Sequence, residues 1–135
     1  MKTSVIRKVI FHSAHRLHNP KWSDEENKKV FGLCNNANYH GHNYELHFKV
    51  TGAIEESTGY VIDLKVLNEI LDKEIVERFD HKNLNLDVKE FANLNPTAEN
   101  IAKIIYELMR MKIDKNLEIK VTLYETPKNY VIYPD

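Results

Sequence analysis

A chain of 135 residues is long enough to bury a substantial core and too short for two full-sized domains, so a single domain spanning residues 1–135 is expected. Its 19 lysines and arginines nearly balance 20 aspartates and glutamates, and no run of five like charges occurs, so the electrostatic footprint of a nucleic-acid binder is missing. No apolar stretch nears the roughly 20 residues that span a bilayer, and Met1 to Lys8 lacks the apolar middle of a secretion signal; a cytoplasmic protein with neither membrane nor nucleic-acid partners is expected.

Val5 to Leu17 reads as a strand with Val9, Phe11, Ser13 and His15 on one face and Ile10, His12, Ala14 and Arg16 on the other. His18 to Phe31 carries Asn19-Pro20 and a charged run from Asp24, which predicts an excursion from the sheet with a turn or two of helix. The only cysteine, Cys34, precedes a second strand from about His42 to Thr51, whose apolar face Tyr44, Leu46, Phe48, Val50 is headed by His40 and His42. Gly41 between them leaves room for a bound atom or a neighbouring backbone. Gly52 to Gly59 is turn-like, and Tyr60-Val61-Ile62 reads as a short strand pairing back as a hairpin.

Asp63 is placed to cap a helix in which Leu64, Leu67, Ile70, Leu71, Ile75 and Phe79 recur at helical spacing. Asp80 to Leu86 is a loop. Pro96 breaks the chain before Thr97, which caps a second helix bearing Ile101, Ile104, Ile105, Leu108 and Met109. Glu118 to Thr126 alternates with Ile119, Val121, Leu123 and Glu125 on one face, and Thr126 to Asn129 turns the chain into a last strand, Tyr130 to Tyr133. The order is ββααββ: an α+β domain, an antiparallel four-stranded sheet with two helices on one face. Such a sheet leaves two open edges, which predicts a homo-oligomer whose edges meet across subunits.

Three histidines, His15, His40 and His42, fall at the ends of apolar faces on sequential strands. One such residue alone is more often a satisfied core histidine; three neutral imidazoles without a fourth protein ligand suit a catalytic zinc with one position open. His12, His18 and His47 point to other faces or loops and read as surface residues. A single cysteine forms no intrachain disulfide, which leaves Cys34 as a buried filler, a metal ligand, a redox thiol or a catalytic base or nucleophile. In Asp80-His81 a carboxylate beside a histidine can fix its tautomer, although a polar loop explains the pair as well. Glu125, ending an apolar alternation, needs a partner such as a planar pair of N–H donors.

Phe11-His12-Ser13-Ala14-His15-Arg16-Leu17, Cys34-Asn35-Asn36 through His40-Gly41-His42-Asn43-Tyr44, Phe79-Asp80-His81-Lys82-Asn83-Leu84-Asn85, Pro96-Thr97-Ala98-Glu99-Asn100 and Tyr124-Glu125-Thr126 together resemble the 6-pyruvoyl tetrahydropterin synthase family, in order and over nearly the whole chain. The charged stretch Asp24 to Asn27 resembles its animal-type branch. The resemblance implies a tunnelling fold (T-fold) that oligomerises into a barrel, a homo-hexamer built as a dimer of trimers, with active sites at subunit interfaces. It implies zinc on His15, His40 and His42, Cys34 as the base, and Asp80 with His81 completing a triad from a neighbouring subunit. Glu125 would anchor the pterin ring, Thr97 and Glu99 would line its pocket, and Arg16 and Lys82 would meet the triphosphate. The implied reaction converts 7,8-dihydroneopterin triphosphate to 6-pyruvoyl-tetrahydropterin and triphosphate, as in tetrahydrobiopterin biosynthesis.

His12 stands where the family carries a small residue, on the face turned away from His15. The related 6-carboxytetrahydropterin synthases of queuosine biosynthesis share ligands and substrate but have three residues between the cysteine and His-Gly-His, where this chain has five. That spacing favours the pyruvoyl branch. A further alternative, of another class, is a noncatalytic zinc-stabilised pterin-binding module in which Cys34 closes a four-ligand site.

Overall fold

The computed structural model describes residues 1–135. Two long strands dominate it, β1 (Thr3–His15) and β2 (His40–Gly52), paired antiparallel from Thr3 opposite Gly52 to His15 opposite His40. Between them lies α1 (Asp24–Phe31), capped by the Ser23 hydroxyl, which accepts from the Glu26 amide. After β2 come α2 (Leu64–Leu71), a π-helical turn over Asp72–Val76, and α3 (Glu77–Phe79). Asp63 caps α2 as its sequence position predicts. Then follow β3 (Lys82–Asn83), α4 (Leu84–Asp87), α5 (Ala98–Arg110), β4 (Glu118–Thr126) and β5 (Asn129–Tyr133).

The sheet order is β3-β1-β2-β4-β5, antiparallel except where β3 runs parallel to β1 through Ser13 and Ala14. The four long strands are those read from the sequence; β3 is an addition, two residues with no apolar period to announce them. The hairpin expected at Tyr60 to Ile62 does not form. The reason is geometric: β2 is already paired to β1 on one side and to β4 on the other, so no edge is free to accept a further strand. Val61 and Ile62 pack as half-buried side chains against the core instead.

One face of the sheet carries the core. Val9 and Phe11 on β1, Tyr44, Leu46, Phe48 and Val50 on β2, and Ile119, Val121 and Leu123 on β4 meet Leu67, Leu71 and Ile75 from the α2 region and Ile101, Ile105 and Met109 from α5. These alternating strand positions and helical stripes form one core cluster of 22 residues. Phe11, stacked on Tyr44 with ring centroids 5.0 Å apart, closes it at the histidine end.

Candidate metal centre and active site

Strand pairing assembles the histidines. Because β1 and β2 stay in register to their ends, His15 lies opposite His40 and Ser13 opposite His42, so three imidazoles gather on the inner face just beyond the last apolar layer. One nitrogen from each lies within 4.8 Å of the others, and the ring centroids are 4.6 to 5.0 Å apart. Gly41 is not demanded by space: a methyl group there would meet the Ser13 carbonyl at 3.5 Å, an ordinary contact.

His15 is only 1% exposed, and its Nδ1 donates to the Pro96 carbonyl at 2.7 Å. That bond fixes the tautomer and leaves the Nε2 lone pair aimed into the cluster, the outer-shell arrangement typical of metal-bound histidine. Burial pushes its pKa down to about 4, against the raising effect of the Pro96 bond and with further lowering from His40 and His42. His42 is likewise pushed down by burial, with Glu125 acting against the shift. At neutral pH both are therefore deprotonated ligands.

The chain supplies a direct test of whether a cation fits. His15 Nε2 and His40 Nε2 are 3.0 Å apart, while His40 Nδ1 and His42 Nε2 are buried with no hydrogen-bond partner. Buried nitrogens left unpaired are costly. Two nitrogens bound at about 2.05 Å to one tetrahedral zinc would stand about 3.3 Å apart, close to the spacing found. The residues present thus fit an ion, which His15, His40 and His42 could hold.

The remaining predicted residues divide into those beside this centre and those away from it. Glu125 joins it, with Oε2 4.0 Å from His15 Nε2 and Oε1 3.9 Å from His42 Nε2. Cys34 sits half-buried in a short 3₁₀ turn, Gly32–Asn35, with its carbonyl accepting from Leu17 N, and its thiol is not part of the ligand cluster. The buried Tyr44 hydroxyl touches His15 Nδ1 at 3.3 Å; burial raises its pKa, as do the nearby charges of Glu125 and Cys34.

Asp80 and His81 lie at the outer edge of β1. Asp80 accepts from the His12 amide at 2.8 Å and holds His81 Nδ1 at 2.8 Å, and these bonds keep its carboxyl below the usual range. His81 adopts a left-handed φ of 58° and donates its own amide to the His12 carbonyl. The ring is thereby held out from the surface, 79% exposed. No hydrogen bond or ion pair within the chain joins this pair to Cys34.

Thr97 caps α5 through its hydroxyl, which accepts from the Asn100 amide at 3.2 Å; Glu99 is exposed in the first turn. Arg16 donates from Nε to the Asn35 carbonyl and borders a cavity of about 850 Å³ that His18, Lys21, Trp22, Phe31 and Tyr39 also line. Lys82 is exposed on β3. His12 is a surface residue as expected, bound to Asn43 Oδ1 at 2.7 Å, whereas His18 and His47 are half-buried, paired with Asn35 and Glu45. Sequence reasoning missed the Pro96 carbonyl. Its one signal was the proline itself, which forces an extended entry into α5 beside a strand end.

An antiparallel sheet backed by helices on one face, with three inward imidazoles at the mouth of its core, defines a tunnelling-fold protein with a metal pocket. Residues 4–135 match the family described as 6-pyruvoyl tetrahydropterin synthase, and the chain belongs to that family of enzymes, on its animal-type side. It is 44% identical over 128 residues to the Drosophila melanogaster protein named 6-pyruvoyl tetrahydrobiopterin synthase, covering 94% of this chain and 76% of that one. The solved Caenorhabditis elegans 6-pyruvoyl tetrahydropterin synthase superposes with a TM-score of 0.93 at 39% identity, over 98% of this chain and 95% of that one. A more distant relative, from Pyrococcus furiosus, is named dihydroneopterin monophosphate aldolase and is 31% identical over 126 residues, 93% of this chain and 91% of that one.

Proposed function

We propose that the chain, acting as one domain, is a 6-pyruvoyl tetrahydropterin synthase that converts 7,8-dihydroneopterin triphosphate to 6-pyruvoyl-tetrahydropterin with elimination of triphosphate. The observation that carries this reading is the convergence of His15, His40 and His42, with ligand atoms within 4.8 Å, beside a carboxylate on the same buried face. Zinc is the ion that three neutral imidazoles suit, and it would supply Lewis acidity to side-chain oxygens of the substrate. Glu125 accepts the paired N–H groups of the pterin ring and so fixes its orientation. Cys34 takes and returns the side-chain protons, and Asp80 orients His81 as its partner in that transfer. The hydrogens lost by the side chain are gained by the ring, so the reaction balances without an external oxidant.

Thr97 and Glu99 line the ring pocket in this reading, and Arg16 and Lys82 meet the triphosphate. Asp80 and His81 reach Cys34 from a neighbouring subunit of a homo-hexamer, in which sheet edges join into a barrel. The free edges support that assembly: β1 is unpaired on its outer side before Ser13, β5 is open, and Ile6, Ile10, Tyr130 and Ile132 are exposed beside them. A cytoplasmic setting fits a chain with no helix long and apolar enough to cross a membrane.

Zinc-loaded protein incubated with dihydroneopterin triphosphate is expected to release triphosphate, and metal-free protein to release none; equal release from both would sink the proposal. Product mass separates this reaction from its rivals. The 31% identity to an aldolase favours a second reading, in which the side chain is cleaved and a hydroxymethyl-pterin appears. A carboxy-pterin would instead identify the queuosine-type activity, against the five-residue spacing before His40.

A further inference from the structure

Glu125 ends the inner face of β4, where Ile119, Val121 and Leu123 give way to a carboxylate. It is also the residue the ladder skips: Tyr124 pairs with Tyr130 and Thr126 with Asn129, which leaves Glu125 unmatched in a bulge. Bulges bend a strand and re-aim one side chain. Here the side chain is turned onto the histidines, with its oxygens 4.0 Å from His15 Nε2 and 3.9 Å from His42 Nε2. Neither contact is a hydrogen bond at that distance.

A lone pair, an unpaired nitrogen and a carboxylate face one another here, and His40 Nε2 stands 3.0 Å from His15 Nε2. His15 Nε2 is a bare lone pair because Nδ1–H is committed to Pro96, His42 Nε2 is buried and unpaired, and the carboxylate lies across from both. Lone pairs and an anion converging on one gap are costly until a cation fills it. Three imidazoles leave a four-coordinate ion one position short. Neither Glu125 nor Cys34 belongs to the three-histidine cluster itself, but Glu125 has oxygens 4.0 and 3.9 Å from two of its nitrogens and Cys34 makes no hydrogen bond to any of the three imidazoles.

We propose that the Glu125 carboxylate closes the fourth position of the ion in the substrate-free protein and gives it up when it turns to the pterin ring. The second half rests on the function proposed above. One carboxylate shared between two ligands makes them antagonists. By linkage, a pterin that takes Glu125 weakens metal binding by the same factor that the metal weakens pterin binding.

The experiment measures metal affinity, not turnover. Metal-free protein is titrated with Co²⁺ and with Zn²⁺ against a chromophoric chelator, for the natural protein, Glu125→Ala, Glu125→Gln and Cys34→Ala. Loss of the carboxylate is expected to weaken both metals about 10- to 100-fold, with the visible Co²⁺ bands losing the form seen in the natural protein, while Cys34→Ala binds as before. Glu125→Gln keeps the shape of the side chain and guards against misfolding; matched melting curves of the metal-free proteins complete that control. Adding 7,8-dihydropterin, which has no side-chain hydroxyls to reach the metal, is expected to weaken Zn²⁺ binding by the natural protein and to leave Glu125→Ala unchanged. Metal affinity of Glu125→Ala within twofold of the natural protein overturns the proposal, as does bound pterin that leaves Zn²⁺ affinity untouched. If the pterin, followed by its own fluorescence, fails to bind at all, the proposed function falls and the metal titrations still decide the ligand.

Discussion

The two chemical groups of this chain are held in opposite ways. The histidine cluster is set by paired strands, with His15 buried, His40 and His42 half-buried, and the first imidazole locked by a backbone carbonyl. The Asp80 and His81 pair is at the edge, tied to the backbone of His12 but with the imidazole turned into solvent. Ligands for an ion must converge before the ion arrives, so they belong where strand register fixes them. In the proposed function the edge pair hands protons to a neighbouring subunit, and a group with that task must project.

The sharpest way to break this contrast is to remove a ligand. His42→Ala is expected to weaken zinc binding by more than 100-fold, beyond the usual loss for an outer-shell residue, and to abolish triphosphate release; retained zinc by elemental analysis would show that the cluster is not the site. The edge pair is tested by mixing. Cys34→Ala and His81→Ala should each lose about 10²- to 10⁴-fold in kcat, yet co-assembled from a denatured mixture they should regain activity, since about one site in four then combines an intact Cys34 with an intact neighbour's His81. No recovery in the mixture would place the pair's work within its own subunit.

A smaller effect reads the burial of His15 by pH. With its folded pKa lowered from 6.5 to about 4, His15 binds a proton more readily when unfolded. The metal-free protein therefore keeps full stability above about pH 6.5 and loses it progressively down to about pH 4, by about 3 kcal/mol in all. Denaturant melts of the metal-free protein and of His15→Asn across that range read the difference. Smallest is Thr97→Ala, which removes the cap of α5 and should cost about 1 kcal/mol in a thermal melt while zinc affinity holds.

Much of the buried region was legible because it depends on alternation. The period of two puts His15, His40 and His42 on apolar faces, and Glu125 on another, without knowledge of the fold. What alternation cannot supply is an edge count. Tyr60 to Ile62 carries strand residues, but both sides of β2 were taken by β1 and by β4, whose residues lie some distance along the chain. β3 was invisible for the opposite reason, being two polar residues whose pairing comes from the path of the chain after α3. The half-buried state of His18 and His47 depends on Asn35 and Glu45, one a loop residue brought back by Cys34 and Leu17, the other a strand neighbour two residues away. The five motifs carried the family; side-chain reach between Asp80, His81 and Cys34 was never a local property.

The single bond from His15 to the Pro96 carbonyl has a consequence for how the protein matures. Pro96 is the last buried residue before α5 begins, so the helix must be docked before His15 presents the correct nitrogen. A chain whose α5 is still loose can offer the ion a misoriented ring, and metal capture then becomes a report that packing is finished.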